Sequence, residues 1–202
     1  MRSTYSAVKR GLDVAGSAAG LAVLSPLLLG LAVAVRFSSP GSILFRQERM
    51  GRFGVPFQLL KFRSMEEGGR GPQVTAANDP RITGIGRVLR RYKLDELPQL
   101  VNVLRGDMSL VGPRPEVRRY VERFPDDYAT ILTVRPGITD EAAIAYRDEE
   151  GLLAAADDPE RAYLNGVLPA KIRLYHSYVE NASLRTDLSL LARTILALVR
   201  RT

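Results

Sequence analysis

Residues 14–35 read VAGSAAGLAVLSPLLLGLAVAV, twenty-two residues without a charge, preceded by Lys9, Arg10 and Asp13 and followed by Arg36. At about 1.5 Å of rise per residue, a helix of this length reaches across the roughly 30 Å hydrocarbon core of a bilayer. It is longer than the apolar core of a secretory signal, and no small-residue cleavage site leads out of it. Ser25-Pro26 interrupts it near the middle. Proline lacks a backbone donor and crowds the preceding turn, so a sharp bend is expected there. A kinked spanning helix and a re-entrant hairpin both satisfy this pattern. Arg2, Lys9 and Arg10 precede the run, and Arg36, Arg46, Arg49 and Arg52 follow it closely. Because basic flanks prefer the cytoplasmic side, both ends ask to lie inside, which favours the hairpin.

Beyond Arg36 the composition is that of a soluble domain. Ser38-Ser39-Pro40-Gly41-Ser42 marks the boundary between anchor and globular part. Ile43–Phe45 and Phe57–Phe62, separated by Gly51, Gly54 and Pro56, predict a β-hairpin. Residues 66–79 predict a mobile loop, and Asp79-Pro80 a helix start that runs through Ile85, Val88 and Leu89 toward Tyr92. Pro98 is tolerated only in a first turn, so a second helix begins near Asp95. Its apolar face is Leu97, Leu100, Val101 and Leu104, and Gly106 ends it. Met108–Pro115 predicts a loop and Arg135-Pro136-Gly137 another break. Further helices are expected over 148–156, 170–180 and 184–201. The expected class is α/β in the broad sense: mostly helical, α+β-like, with one short hairpin. Residues 1–37 would be a re-entrant membrane helix-break-helix, and 38–202 a small cytoplasmic catalytic domain whose last helix packs on the core or lies at the membrane interface.

The chain of 202 residues carries a net charge of +7, spread unevenly. Residues 1–35 hold three basic and one acidic residue, residues 36–105 thirteen and six, and residues 106–202 thirteen and fifteen. The middle third suits phosphates of some kind. There is no cysteine and one histidine, His176, which excludes disulfides, thiolate metal sites and multi-histidine metal centres. The basic middle also admits a nucleic-acid-binding module, but no helix-turn-helix or stacking signature accompanies it.

Asp95-Glu96 is the candidate chemistry. Acids in a first turn stabilise the helix dipole whatever else they do. The same setting keeps an aspartate ionised, and an ionised carboxylate is a competent nucleophile toward phosphorus. Neighbours on a helix point about 100° apart, so one acid can attack while the other binds metal or handles a proton. Arg114, held between Pro113 and Pro115, is a rigidly mounted phosphate donor. Arg90, Arg135 and Arg147 are weaker candidates of the same kind. In Lys61-Phe62-Arg63, strand alternation puts both cations on one face.

Several of these stretches resemble the bacterial sugar transferases, the monotopic phosphoglycosyl transferases. They are Phe45-Arg46-Gln47-Glu48-Arg49, Lys61-Phe62-Arg63-Ser64-Met65, the run from Leu94 to Gly112-Pro113-Arg114-Pro115, Arg135-Pro136-Gly137-Ile138-Thr139 and the region around Asp187. The resemblance covers nearly the whole chain, including Ser25-Pro26 as the re-entrant break. It implies a Mg²⁺-dependent exchange at the cytoplasmic face of the bacterial inner membrane. Asp95 would attack the β-phosphate of a UDP-sugar, contact the metal and release UMP. Polyprenyl (undecaprenyl) phosphate would then take the phosphosugar, beginning a glycoconjugate or polysaccharide. Glu96 is carried over as the partner acid, and Lys61, Arg63, Arg90, Arg114 with Pro113 and Pro115, and Arg147 as substrate contacts. The implied partners are these substrates and membrane lipid, with no nucleic acid; an oligomer is compatible with the sequence. One departure stands out: many members follow Pro-Gly-Ile-Thr with Gly-Trp-Ala-Gln, where this chain has Asp140-Glu141-Ala142-Ala143.

Overall fold

The computed structural model describes residues 2–66 and 79–199. The predicted mobile loop falls almost wholly outside them, as does the end of the predicted last helix. The protein is mostly helical with two small sheets.

The first helix, α1 (Arg2–Ser38), is long and apolar enough to cross a membrane. It differs from the expected helix-break-helix, since it continues through Ser25-Pro26 as one element. Pro26 has no N–H for the carbonyl of Ala22, and the Ser25 hydroxyl supplies one, donating to Ala22 O at 2.8 Å. That substitution lets a proline sit inside a continuous apolar helix. One face of α1 is fully apolar and exposed, with Val23 at 77% and Leu29 at 69%.

Its other face lies against the globular part at both ends. Near the N-terminus, the Tyr5 hydroxyl and Lys9 Nζ both donate to Asp187 Oδ2 at 2.9 Å. A turn further on, buried Asp13 accepts from Ser109 Oγ and the Leu110 amide. At the other end Val35 is fully buried with Phe62 and Leu89.

The predicted hairpin is present. Strands β1 (Leu44–Met50) and β2 (Pro56–Phe62) pair antiparallel from Leu44 opposite Phe62 to Met50 opposite Pro56. The helix expected from Asp79-Pro80 starts later, as α2 (Gly84–Arg91), because Thr83 caps it by accepting from the Gly86 amide. Asp79 instead binds its neighbour Arg81. Asp95 and Glu96 occupy a single 3₁₀ turn, Leu94–Glu96, and α3 (Gln99–Arg105) begins only after Pro98. Gly106 ends α3 at φ 97°, as its sequence position predicts.

The loop expected over Met108–Pro115 contains a strand. β3 (Ser109–Val111) pairs in parallel with β4 (Gly137–Thr139). Helices α4 (Arg118–Val121) and α5 (Pro125–Ile131) lie between them. After β4 come α6 (Glu141–Ala145), α7 (Glu149–Ala154), α8 (Pro159–Ala162), a π-helical turn (Tyr163–Val167), α9 (Leu168–Asn181) and α10 (Leu184–Val199). Their largest core joins Tyr120, Tyr128, Ile131, Tyr163, Leu168 and Tyr175.

Gly137 is where β4 meets β3 most closely. A Cβ there would overlap the backbone of Gly112, which immediately precedes Pro113 and Arg114. Relieving the overlap must part β3 from β4, because no flexible side chain is in the way. Gly137→Ala is expected to lower stability by about 3 kcal/mol, the upper end for overpacking. A thermal melt in detergent checks it; an unchanged midpoint would show that the two strands separate freely.

Candidate active site

Three elements bring the site together. Asn102 on α3 imitates a strand partner for the edge of β2: its Oδ1 accepts from the Leu60 amide at 3.0 Å, and its Nδ2 donates to Gln58 O at 2.8 Å. This seats β2 beside the 3₁₀ turn and brings Lys61 over Glu96. Lys93, in left-handed backbone at φ 56°, turns the chain from α2 into that turn. Arg114 reaches it from after β3. Pro113 O accepts from the Gly137 amide and Pro115 O from Arg49 Nη1, so the peptides on both sides of Arg114 are tied down.

Glu96 is the hub. Both its oxygens accept from the Arg114 guanidinium, at 3.0 and 2.5 Å, and Lys61 Nζ donates to Oε1 at 3.2 Å. Burial opposes the Glu96 charge, but Arg114 and Lys61 outweigh it and hold the carboxyl well below the usual range. Glu96 in turn pushes the Arg114 guanidinium well above its ordinary value. Burial lowers the Lys61 ammonium, and Glu96 offsets part of that.

Asp95 is 5% exposed and differently placed. Its Oδ1 is buried with no hydrogen-bond partner among the described residues. Burial raises its carboxyl above the usual range, Lys61 pulls it back, and the neighbouring Glu96 charge raises it further. The helix start expected to favour the Asp95 charge is absent, since the residue sits in a 3₁₀ turn ahead of α3, and burial works against that charge. Glu96 is the acid held ionised by its partners, whereas Asp95 carries an unpartnered oxygen.

Both acids line a cavity of about 570 Å³. Its lining includes the cations Lys61, Arg90, Lys93, Arg114, Arg147 and Lys171. It also includes Gly20 and Leu24 of α1, Leu100 of α3, and Ile195 and Ala197 of α10. Arg90 is held on the wall by Glu150, with Nη2 donating to Oε1 at 2.7 Å. Arg147 Nη2 is buried without a partner among the described residues. Where the chain departs from Gly-Trp-Ala-Gln, Asp140 caps α6 by accepting from the Ala143 amide, and this short helix carries the chain to Arg147.

The structure thus gathers Asp95, Glu96, Lys61, Arg90, Arg114 and Arg147 around one cavity. It places Arg63 elsewhere. β2 ends at Phe62, so alternation stops, and the Arg63 guanidinium donates to the carbonyls of Val35, Ser39 and Pro40 at the end of α1. That is a helix C-cap, away from the cavity. Pro113 and Pro115 position Arg114 without lining the cavity, and Ser25-Pro26 lies just beyond Leu24, one of its lining residues. Sequence reasoning missed Lys93, Lys171, Glu149 and Glu150 as lining residues. Lys171 had a readable signal: it falls on the buried stripe of α9 with Leu168, Ile172 and Tyr175, where a cation needs a partner. Here that partner is Glu149, at 2.9 Å.

The family model for bacterial sugar transferases matches residues 4–201. The chain is 42% identical over 197 residues to a UDP-glucose:undecaprenyl-phosphate glucose-1-phosphate transferase of Caulobacter vibrioides, covering 95% of this chain and 69% of that protein. It is 37% identical over 198 residues to a UDP-N-acetylgalactosamine-undecaprenyl-phosphate N-acetylgalactosaminephosphotransferase of Aeromonas hydrophila, covering 95% of this chain but 43% of that one. It is 37% identical over 204 residues to the exopolysaccharide production protein PSS of Rhizobium leguminosarum bv. phaseoli, covering 96% of both. The chain spans less than half of the Aeromonas relative and nearly the whole of the Rhizobium one. With the family match running over almost every residue, the chain belongs to the bacterial sugar transferase family.

Proposed function

We propose that this protein transfers a phosphosugar from a UDP-sugar to undecaprenyl phosphate, through a phosphosugar–aspartate intermediate on Asp95. The observation that carries the reading is the mixed lining of the cavity: the buried Asp95 carboxyl, whose Oδ1 has no partner among the described residues, lies with six cations and with apolar residues from α1, α3 and α10. A diphosphate suits the cations and a prenyl chain the apolar residues. In the first step an Asp95 oxygen attacks the β-phosphorus. The bond from that phosphorus to the bridging oxygen breaks, and UMP leaves with the electron pair. In the second step an oxygen of the lipid phosphate attacks the same phosphorus and the Asp95 carboxylate departs, leaving a polyprenyl diphosphate sugar. Glu96 stays ionised throughout and holds Lys61 and Arg114 where the transferring phosphoryl group passes.

Mg²⁺ belongs to this proposal. No group of three or more potential ligating side chains converges among the described residues. Mg²⁺ needs only one or two carboxylates when substrate phosphates and water complete its shell, so the free Asp95 Oδ1 is a sufficient protein donor. When bound, the ion would neutralise diphosphate charge.

The membrane arrangement is proposed on similar grounds. Because both ends of α1 pack on the same globular body, a bilayer crossing would have to carry part of that body with it. We therefore read α1 as seated in one leaflet from the cytoplasmic side, where UDP-sugars are made, with its apolar face in lipid. The purified chain in nanodiscs, given Mg²⁺ and a panel of UDP-sugars, should release one equivalent of UMP without acceptor and turn over once undecaprenyl phosphate is added. Release of UDP instead, or no UMP from any donor, would sink the reading.

A further inference from the structure

A second cavity, of about 260 Å³, lies between the start of α1, the turn joining β1 to β2, and the segment leading into β4. Lys9, Arg10, Arg52 and Arg135 all line it. Lys9 is paired with Asp187, but none of the three arginines has an ion-pair partner among the described residues. Each is nevertheless fixed. Arg10 donates to the carbonyls of Val103 and Leu104 at the end of α3, at 2.6 and 2.9 Å. Arg135 Nε donates to Gly106 O at 2.8 Å, and Arg52 Nε to Thr133 O at 2.9 Å.

Those bonds leave the outer nitrogens of Arg52 and Arg135 without a hydrogen-bond partner among the described residues, and the Arg52 plane is further fixed by stacking over the Phe53 ring at 4.3 Å. Asp13 and Glu180 also line the cavity, but neither forms an ion pair with these arginines among the described residues. Asp13 Oδ1 accepts from Ser109 and the Leu110 amide, and its charge offsets only part of the repulsion at Arg135. The repulsion is felt: burial lowers the Arg135 guanidinium from its usual value, and Arg10 and Arg52 lower it further. Surface arginines ordinarily avoid this by spreading into solvent. Here backbone carbonyls hold three of them around one cavity, with two planar forks free, which is the donor geometry a phosphate group accepts bidentately. Arg10 lies only four positions before Val14, where the uncharged run begins, and so sits at the border between polar and apolar surface.

We propose that the cavity framed by Arg10, Arg52 and Arg135 binds a phosphate group, at headgroup depth beside α1 and separate from the catalytic cavity. The depth rests on the one-leaflet reading of α1; the phosphate site does not. The chemistry is shared by an anionic phospholipid headgroup and by free phosphate, and the test separates them.

Melting midpoints of the full chain would be compared in phosphatidylcholine nanodiscs, in phosphatidylglycerol-containing nanodiscs, and in phosphatidylcholine nanodiscs with inorganic phosphate at constant ionic strength. Wild type should gain about 3 °C in at least one of the last two conditions. A gain with phosphatidylglycerol alone assigns the site to a lipid headgroup; a gain with inorganic phosphate assigns it to phosphate as such. Arg52→Gln/Arg135→Gln should lose the gain, while Arg36→Gln/Arg46→Gln, removing the same charge from exposed positions, should keep it. If the first double variant does not fold, Arg52→Gln alone, which gives up one bond to Thr133, should weaken phosphate binding about tenfold. No gain in either condition, or equal loss in both double variants, overturns the proposal. The readout involves no turnover, so it stands or falls separately from the transferase reading.

Discussion

Asp95→Asn is expected to reduce UMP release by at least ~10³-fold, the scale on which loss of a covalent nucleophile is felt, while leaving the melting midpoint unchanged or slightly higher. The stability half of this expectation follows from the site. Asparagine has the shape of aspartate, and Asp95 Oδ1 has no hydrogen bond to lose among the described residues. Its charge is disfavoured by burial and by the neighbouring Glu96. Removing it relieves the fold and disarms the chemistry together. The variant should also fail to retain label from a donor carrying ³²P in its β-phosphate, which wild type should hold covalently until acceptor is added. Full turnover in Asp95→Asn would end the nucleophile assignment. The pH profile gives an independent view. Attack needs the ionised carboxylate, so activity should rise with pH through an Asp95 pKa lying above the ordinary carboxylate range. Lys61 lowers that pKa. Lys61→Met should therefore shift the acid limb to higher pH, beyond any fall in maximum rate.

How far the site could be read from sequence depends on the range of each signal. Gly106 acts through its own backbone, so the end of α3 was legible from one residue, as was the hairpin from Gly51, Gly54 and Pro56, whereas the start expected near Asp95 falls after Pro98. The electrostatics of Asp95 were not legible because the expected helix start is absent: the residue sits in a 3₁₀ turn before α3, where burial opposes its charge and Lys61 favours it. Arg63 misled for a similar reason, since alternation predicts its face only while the strand continues, and the strand stops at Phe62. β3 and β4 left no trace because three residues carry no period and their partners lie far apart in the chain. The continuity of α1 turned on a single hydroxyl: Ser25 reads locally as part of a break, yet it bonds the carbonyl that Pro26 leaves bare.

Arg114→Met should be the most damaging change to the fold around the site, and it separates the two acids' roles. Glu96 is 9% exposed and owes its depressed pKa to Arg114 first among its cations. Taking Arg114 away leaves that carboxylate buried with Lys61 as its remaining charged partner at contact distance. Breaking one side of such a pair costs about 3 kcal/mol, because the abandoned charge stays desolvated. The sign with pH is fixed by linkage. A carboxyl whose folded pKa is depressed stabilises the fold above its unfolded pKa, and that contribution disappears as pH falls through the folded value. The gap between wild type and Arg114→Met should thus be widest near neutral pH and narrow toward acid. Glu96→Gln is the matching control: the amide oxygen still accepts from Arg114, and no unpaired anion is created. It leaves the Arg114 and Lys61 cations facing an amide, so it should melt below wild type but less so than Arg114→Met, because those side chains are 28% and 20% exposed against 11% for Glu96. It should also lose activity, since a neutral residue no longer holds the two charges at the phosphoryl path. If Glu96→Gln kept wild-type turnover, Glu96 would be a structural anchor for Arg114, and Asp95 would carry the chemistry with the cations alone.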